Sequence, residues 1–516
     1  MAEEDPRIVE LREMRTKAQA GGGEDKIAKH HAKGKLTARE RIELLLDPGT
    51  FSELERYVTH RSEDIGLKEK FFTDGVITGY GTVDGRSVYV YAQDFTVMGG
   101  ALGEMHGKKI ARVMDLAAES GAPVVGLIDS GGARINEGVR SLFGYAQIFR
   151  RNTLYSGVVP QISLVLGPCA GGAAYSPAVQ DMIIMVENQS FMFLTGPEVI
   201  KSVTGEVVDF ESLGGADVHL GISGTAHLKT RNDAEALLLA RKVLGYLPSN
   251  NVENPPFVDT GDDPNRMDEA LNSLVPINPA EPYSMHDAIE MIVDRGSFLE
   301  LQAAFARNAI VGLARMGGYT VGIVSQEPAV MAGVLDIDSA DKIARFVRFC
   351  DSFNIPLVTF LDSPGFLPGT DQEHRGVIRH GAKVLFAYAD ATVPKIQIIS
   401  RKAYGGAMIV MSSKLMGADL SFAWPSAEIA VMGPEGAANI LYRKQIETAA
   451  DPAAERERIV EEYRKQFLNP YAAAADGFID DVIEPRETRK RVIAALLALR
   501  EKSTSTPARK HGNIPL

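Results

Sequence analysis

Residues 129–134 read Asp129-Ser130-Gly131-Gly132-Ala133-Arg134 and directly follow the apolar residues 124–128. An apolar run that ends in a turn of small residues is typical of a buried strand that leads toward a helix start. The pattern returns 233 positions later, where residues 359–361 lead into Asp362-Ser363-Pro364-Gly365. The sequence therefore predicts that one strand-and-turn unit is built twice.

Each turn is followed by a pair of glycines, Gly171-Gly172 in the first half of the chain and Gly405-Gly406 in the second. A glycine pair that opens a helix leaves backbone N–H groups without an acceptor, and two such groups can stabilise a developing oxyanion. A thioester enolate is the ligand for which this matters most. The alternative interpretation is that the pairs only allow a helix and a strand to pack closely. Because the whole unit is duplicated, we favour the first interpretation.

The duplication extends beyond the turns. Lys109-Ile110-Ala111-Arg112 matches Lys342-Ile343-Ala344-Arg345 at the same spacing of 233 residues, and such self-similarity predicts two like domains. Prolines concentrate between residues 248 and 282, which indicates a linker. We therefore predict a first domain at 1–250, a linker at 251–282, a second domain at 283–502 and an extended tail at 503–516.

Local signals predict regular elements within these domains. Thr37 and Glu40 form a capping-box pattern, which predicts a helix from Thr37 through Leu46. Asp84-Gly85 between two apolar runs predicts a β-hairpin. From there strands and helices alternate, which predicts βαβ crossovers and a largely parallel sheet.

The composition is that of a globular protein, with 516 residues of which 45% are hydrophobic and 24% charged. A net charge of −12 argues against a nucleic-acid surface. The opening Met1-Ala2-Glu3-Glu4-Asp5 is unlike a signal peptide, and no apolar run reaches the roughly 18–20 residues of a membrane span. We therefore expect a cytoplasmic protein without a membrane span. Two cysteines are too few for a disulfide framework or a four-cysteine zinc site, and we expect no metal.

Side chains offer few catalytic candidates. The sequence contains no P-loop, no HExxH motif and no GxSxG nucleophile elbow. Ser130 and Ser363 are interpreted as turn formers. One cationic cluster stands out in this acidic chain, and it can be either a solvated face or a phosphate-binding patch. Its members are Lys26, Lys29, His30, His31, Lys33 and Lys35.

Four longer motifs make the chain recognisable, at residues 129–134, 167–173, 400–407 and 423–433. They resemble the carboxyltransferase subunits of biotin-dependent acyl-CoA carboxylases, most of all the β subunits of propionyl-CoA carboxylases. They are also similar to the α subunits of methylmalonyl-CoA decarboxylases. The resemblance covers almost the entire chain and implies an α/β fold of two tandem crotonase-like domains, the ββα superhelix of ClpP and crotonase. It also implies a homo-hexamer with active sites between the first domain of one subunit and the second domain of another.

The resemblance assigns roles to individual residues. It implies two oxyanion holes, one formed by Gly171 and Gly172 and the other by Gly406 and Ala407. By analogy with crotonases, we expect the thioester enolate at the first hole and the biotin ureido oxygen at the second. The sequence leaves the reverse assignment open. The residues expected to line the acyl-CoA groove are Gly132, Ala133, Arg134 and Ile409, and those expected on the biotin side are Gly365, Phe366 and Tyr404.

The implied function is transfer of CO₂ from carboxybiotin to the α-carbon of a short acyl-CoA, either propionyl-CoA or acetyl-CoA. In such enzymes N1′ of the biotin ring gives up CO₂ and then takes the α-proton. The chain has neither an Ala-Met-Lys-Met biotinylation site nor an ATP-binding signature. Biotin and its carboxylation are therefore expected from a separate biotin carboxylase and carboxyl carrier subunit.

Two alternatives stay open. A methylmalonyl-CoA decarboxylase or transcarboxylase subunit would run the same half-reaction in reverse. A non-catalytic CoA-binding assembly protein is the other alternative, and the two intact glycine pairs argue against it. Met408-Ile409 stands where propionyl-CoA carboxylases often have Tyr-Asp, close to the acyl pocket. This departure leaves the preferred acyl length open.

Overall fold

The computed structural model describes residues 4–61 and 69–515, and these fall into two units with a boundary between Glu253 and Asn254. The first three residues of the acidic opening and Leu516, the last residue of the predicted tail, lie outside the described residues. Among the helices that the structure describes, none has the length and apolar character needed to cross a bilayer.

Unit 1 combines one mixed sheet with ten helices in the part of the chain that is described. Its helices are α1 (Pro6–Gln19), α2 (Glu24–His31), α3 (Ala38–Leu45), α4 (Glu104–Ser120), α5 (Val139–Leu154), α6 (Gly172–Ala178), α7 (Pro197–Thr204), α8 (Phe210–Gly214), α9 (Ala216–Gly221) and α10 (Asp233–Tyr246). Its strands are β1 (Ser52–Leu54), β2 (Val76–Val83), β3 (Arg86–Gln93), β4 (Val124–Ser130), β5 (Gln161–Ala170), β6 (Met182–Val186), β7 (Phe191–Phe193) and β8 (Leu228–Thr230).

The sheet of unit 1 has the order β1-β2-β3-β4-β5-β6-β8, and β7 pairs with the end of β5. Strands β1, β2 and β3 are antiparallel neighbours, and the remaining pairs are parallel. The capping box of Thr37 and Glu40 and the hairpin at Asp84-Gly85 are both confirmed. Long crossovers run through α4 and α5, and these helices bury Ile110 and Ile148 in the same core as strand β4.

Unit 2 repeats this arrangement. Its helices are α11 (Met285–Ile292), α12 (Ile337–Ser352), α13 (Thr370–Arg375), α14 (Val377–Asp390), α15 (Gly405–Val410), α16 (Pro434–Leu441), α17 (Arg443–Thr448), α18 (Pro452–Phe467), α19 (Pro470–Ala475) and α20 (Thr488–Ala498). Its strands are β9 (Leu299–Leu301), β10 (Ala309–Met316), β11 (Tyr319–Gln326), β12 (Leu357–Ser363), β13 (Lys395–Tyr404), β14 (Leu420–Ala423), β15 (Glu428–Ala430) and β16 (Asp481–Val482).

The sheet of unit 2 has the order β16-β14-β13-β12-β11-β10-β9, and β15 pairs with the end of β13 as β7 does with β5. Strand β12 is buried along its whole length, as expected for a parallel strand covered on both faces. Both units therefore place their turns and glycine pairs at the carboxyl ends of two adjacent parallel strands.

Residues 254–282 pack onto unit 2. The Arg266 guanidinium donates a hydrogen bond to the Met291 carbonyl at 2.6 Å, and Leu271 is buried in the core of the unit. The structure thus places these residues in the second unit rather than in a separate linker. Proline interrupts helices and strands, but it does not prevent packing when neighbouring groups satisfy the backbone.

One buried lysine occurs at the same place in each unit. Lys109 of α4 donates to the Val76 carbonyl at 2.6 Å, and Lys342 of α12 donates to the Ala309 carbonyl at 2.7 Å. Burial lowers the pKa of each lysine to about 8. These two side chains fasten a crossover helix to the start of a strand, so the matching Lys-Ile-Ala-Arg motifs serve the fold.

Candidate active site

In unit 1 the turn after β4 is held by backbone contacts. Leu102 N–H donates to the Gly132 carbonyl at 2.9 Å, and Arg134 N–H donates to the Leu102 carbonyl at 2.9 Å. Gly132 has a φ of +100°, and a Cβ placed there would lie 2.9 Å from the Ala170 carbonyl oxygen. Only glycine suits this close approach, which brings the predicted groove residues beside the end of β5.

The glycine pair of unit 1 follows at the end of β5. Gly171 has a φ of +61° and caps α6, and its N–H donates to the Phe193 carbonyl at 2.9 Å. This contradicts the prediction that Gly171 offers a donor to a ligand, because its N–H already has an acceptor. Gly172 and Ala173 are the first two residues of α6, and N–H groups at these positions have no acceptor within the helix.

The glycine pair of unit 2 has the same form. Tyr404 caps α15, Gly405 has a φ of +56°, and Gly406 and Ala407 follow in the first turn of the helix. Gly406 and Ala407 therefore occupy the positions that Gly172 and Ala173 hold in unit 1. Ala173 is not among the residues predicted from the sequence, although lining up the two Gly-Gly-Ala motifs pairs it with Ala407.

An aromatic ring lies beside the helix start in each unit, but it comes from different elements. In unit 1 the ring belongs to Tyr145 of α5, 3.2 Å from where a Cβ on Gly172 would be. In unit 2 it belongs to Phe366 of the turn, 3.8 Å from where a Cβ on Gly406 would be. The turn residue of unit 1 that corresponds to Phe366 is the small Ala133. In unit 2 the helix residue that faces the Phe366 ring is Gly381 of α14, which has no side chain.

The two turns are equivalent in backbone geometry despite this exchange. Ala133 forms a parallel bridge with Leu102, and Phe366 forms one with Leu335. In the second turn, the Leu335 N–H also donates to the Gly365 carbonyl at 2.9 Å. The turn next to the glycine pair is therefore lined by a small residue in unit 1 and narrowed by a ring in unit 2.

The charged side chains of the turns point into the protein. Arg134 donates to Asp74 at 2.7 Å and to Glu137 at 2.6 Å, and only 3% of its surface is exposed. Asp129 is fully buried and forms an ion pair with Lys35 at 2.7 Å. The guanidinium group of Arg134 is therefore used within the protein, and its backbone N–H and carbonyl also have partners, Leu102 and Ser141.

The same buried contacts show which members of the cationic cluster, residues 26–35, face the interior and which face the solvent. Lys35 is buried against Asp129, and buried His30 stacks on Phe95 with ring centroids 6.1 Å apart. Burial lowers the pKa of His30 and favours its neutral form. Neither alternative, a solvated face or a phosphate-binding patch, holds for these two residues. The remaining members, Lys26, Lys29, His31 and Lys33, are exposed.

In unit 2 the buried carboxylate is Asp362, which accepts a hydrogen bond from Arg401 at 2.9 Å. Burial raises the pKa of Asp362, and the nearby Arg401 opposes this shift. Tyr404 is buried and donates to Glu428, whereas Ile409, near the end of the short helix α15, is 45% exposed. Ile409 is therefore the predicted site residue whose side chain is most available to a small ligand.

Because the charged side chains of the turns are buried, the backbone N–H groups at the helix starts are the candidates for chemistry in both units. Each unit ends a parallel strand in a glycine at positive φ and begins a short helix with two neighbouring N–H groups. Two such donors, held without reorganisation, can stabilise an oxygen on which negative charge develops. Among the described residues no cluster of His, Cys, Asp and Glu could hold a metal ion.

Comparison with known proteins gives consistent results. The family model described as "Carboxyl transferase domain" matches residues 29–514. The chain is 59% identical over 511 residues, 99% of both chains, to the propionyl-CoA carboxylase carboxyltransferase subunit of Haloferax mediterranei. It is 54% identical over 511 residues, again 99% of both chains, to the methylmalonyl-CoA decarboxylase subunit alpha of Propionigenium modestum.

A solved structure is similar along the whole length. The crystal structure of transcarboxylase 12S, described as a hexamer assembly with methylmalonyl-coenzyme A bound, superposes with a TM-score of 0.97 at 50% identity. The match covers 100% of this chain and 99% of that one. The predicted fold of two crotonase-like domains is confirmed by this likeness.

Proposed function

The chain belongs to the carboxyl transferase domain family, and on this premise we propose that it is the carboxyltransferase subunit of a biotin-dependent acyl-CoA carboxylase. The observation that carries the proposal is the pair of helix starts, one in each unit, that offer adjacent backbone N–H groups. The similarity to a propionyl-CoA carboxylase subunit along 99% of both chains supports it. Propionyl-CoA is the first substrate to test, and acetyl-CoA the second.

In unit 1, Gly172 and Ala173 hold the thioester oxygen of the acyl-CoA. Their N–H groups stabilise the negative charge that forms on this oxygen when the α-proton leaves. Gly132 and Ala133 line the groove beside them, and buried Arg134 supports this turn from within the protein through Asp74 and Glu137. This replaces Gly171 by Ala173 in the predicted hole, because the Gly171 N–H bonds to Phe193.

In unit 2, Gly406 and Ala407 hold the ureido oxygen of biotin. The residues around them suit a flat, uncharged ring: Gly406 has no side chain, and the Phe366 ring lies beside it. When bound, biotin carried by a partner subunit supplies the carboxyl group and takes up the α-proton. The acid groups of the turns have no part in the proton transfer, since Asp129 and Asp362 are committed to buried ion pairs.

The assembly we propose is a homo-hexameric core that works with a biotin carboxylase and a biotin carrier. The similarity to transcarboxylase 12S, whose structure is described as a hexamer assembly, supports the hexamer. A cytoplasmic location is part of the same proposal.

A methylmalonyl-CoA decarboxylase or transcarboxylase subunit is the second candidate. It is favoured by Ile409, an uncharged and half-exposed residue where propionyl-CoA carboxylases often have Asp. The 54% identity to a decarboxylase subunit alpha supports it as well. Both candidates use the same two holes and differ in the direction of transfer and in the partner subunit.

The deciding experiment supplies the purified protein with carboxybiotin and with acetyl-, propionyl- or butyryl-CoA, and measures carboxylated product by mass spectrometry. The reverse assay supplies methylmalonyl-CoA and free biotin. We expect product in both assays, and the partner that co-purifies, a biotin carboxylase or a membrane subunit, then distinguishes the two candidates. Binding of acyl-CoA without turnover in either direction would instead favour a non-catalytic CoA-binding assembly protein.

A further inference from the structure

Unit 2 carries a side-chain contact beside its glycine pair that unit 1 lacks. The Tyr404 hydroxyl, on the residue that caps α15, donates to the Glu428 carboxylate. Strand β15 runs parallel to the end of β13, with Glu428 opposite Lys402. Since residues two apart on a strand share a face, this register places Tyr404 and Glu428 on the same side of the sheet.

The segment after Glu428 forms the wall of the glycine turn. A Cβ placed on Gly405 would lie 3.0 Å from the Val431 carbonyl oxygen, and one placed on Gly433 would lie 3.5 Å from the Tyr404 ring. The turn, the tyrosine and residues 431–433 are therefore in mutual contact. Displacement of β15 would therefore move the segment that packs against Gly405, the residue before Gly406.

The hydrogen bond between Tyr404 and Glu428 is stabilised by its surroundings. Burial, and after it the hydrogen bond to Glu428, raises the pKa of Tyr404 well above its ordinary value, so the phenol stays protonated and remains a donor. Arg464 of α18 lies 3.7 Å from Glu428 and 3.7 Å from Glu435 of α16. Since Arg464 is close to carboxylates on β15 and on α16, it links α16 and α18 to the strand that carries Glu428.

Unit 1 shows that the fold does not need this contact. Ala170 ends β5 where Tyr404 ends β13, and Phe191 opens β7 where Glu428 opens β15. The two strands pair in the same way in both units. Only one of the two copies has the tyrosine and the glutamate. We therefore attribute the contact to ligand binding in unit 2 and not to a requirement of the fold.

We propose that Glu428 is a positioning residue of the unit 2 site, which acts through the Tyr404 hydroxyl to hold the Gly405-Gly406 turn in place for its ligand. The proposal rests on the proposed function for the identity of that ligand, biotin. Glu428 itself does not touch the reacting atoms. It sets the positions of the donors that do, and errors of about 1 Å in such positions can lower a rate by about 100-fold.

The test measures carboxyl transfer from methylmalonyl-CoA to free biotin by Glu428→Ala, Glu428→Gln and Tyr404→Phe, each as the full-length oligomer. For Glu428→Ala we expect kcat to fall by about 10- to 100-fold, with a raised KM for biotin and an unchanged KM for methylmalonyl-CoA. Glu428→Gln keeps an acceptor oxygen and is expected to retain most of the activity. Glu435→Ala is the matched control, since it removes another carboxylate partner of Arg464 and leaves the Tyr404–Glu428 hydrogen bond in place.

A double-mutant cycle separates positioning from a general loss of stability. If Glu428 acts through Tyr404, the double variant Glu428→Ala, Tyr404→Phe loses no more activity than the worse single variant. Wild-type kinetics in Glu428→Ala, or additive losses in the double variant, would overturn the inference. A wild-type protein that transfers no carboxyl group under any condition would instead overturn the proposed function, so the two failures are distinguishable.

Discussion

The ring of Phe366 lies beside Gly406, 3.8 Å from where a Cβ on the glycine would be. That distance is ordinary van der Waals contact, so alanine fits at this position. The additional methyl groups of valine would crowd both the ring and the space in which a ligand reaches the Gly406 N–H.

We therefore expect Gly406→Val to lower carboxyl transfer by at least about 100-fold, the usual effect of losing an oxyanion donor. The oligomer should stay intact in analytical ultracentrifugation. Gly245→Val, in α10 where a Cβ meets no atom within 4 Å, is the control for adding the same side chain to a helix. Full activity in Gly406→Val would refute the role of the unit 2 hole.

The two glycines that precede the holes should differ in tolerance. Gly171 and Gly405 both have positive φ, a sparsely populated conformation that costs an alanine about 1–3 kcal/mol. A Cβ on Gly405 would lie 3.0 Å from the Val431 carbonyl, whereas on Gly171 the nearest atom, the Leu194 carbonyl oxygen, is 3.7 Å away. Gly405→Ala should therefore lower Tm more than Gly171→Ala in calorimetry. Equal losses would mean that backbone strain alone decides the effect.

His286 should make stability depend on pH. It lies 3.0 Å from Glu300 and 2.8 Å from Glu327, and these hydrogen bonds raise its pKa to about 10. The stabilisation is complete below the unfolded pKa of about 6.5 and is lost as pH rises through 10. Since the side chain is 41% exposed, we expect about 1 kcal/mol or less.

The measurement for this group is the Tm of wild type and His286→Gln between pH 6 and pH 10. The difference between them should be largest at pH 6 and shrink toward pH 10. In unit 1 a similar pair joins Arg39 of α3 to Glu53 of β1 at 2.9 Å, and arginine side chains in proteins keep their charge. The effect of Arg39→Gln should accordingly be constant, and a constant effect of His286→Gln would show that its charge is not involved.

Asp129 should prove structural rather than catalytic. Its carboxylate lies 2.7 Å from Lys35 and 3.0 Å from Arg41, and all three are buried. Asp129→Asn leaves the two cations without this counter-charge, and we expect a loss of about 3–5 kcal/mol in the free energy of unfolding, measured with urea. A variant of wild-type stability without activity would show that the carboxylate takes part in the reaction.

Much of the architecture was predictable because it follows from local pattern and from repetition. The capping box at Thr37, the hairpin at Asp84-Gly85 and the duplicated strand-and-turn units need only short-range chemistry. The motifs at 129–134 and 400–407 were long enough to indicate the family. The proline-rich residues 251–282 were predicted to be a linker, whereas the structure places residues 254–282 in unit 2. Composition does not reveal which neighbouring groups form hydrogen bonds with such a backbone.

The sequence by itself determined that the protein is built twice and that glycines rather than side chains are the candidates for chemistry. Only the tertiary structure decided which N–H groups are available, because the acceptor of Gly171, the Phe193 carbonyl, belongs to a strand 22 residues further along the chain. It also decided that Lys35 and Arg134 face inward, where burial beside carboxylates outweighs solvation. Pairings between distant segments depend on register and packing in three dimensions, which no local pattern records.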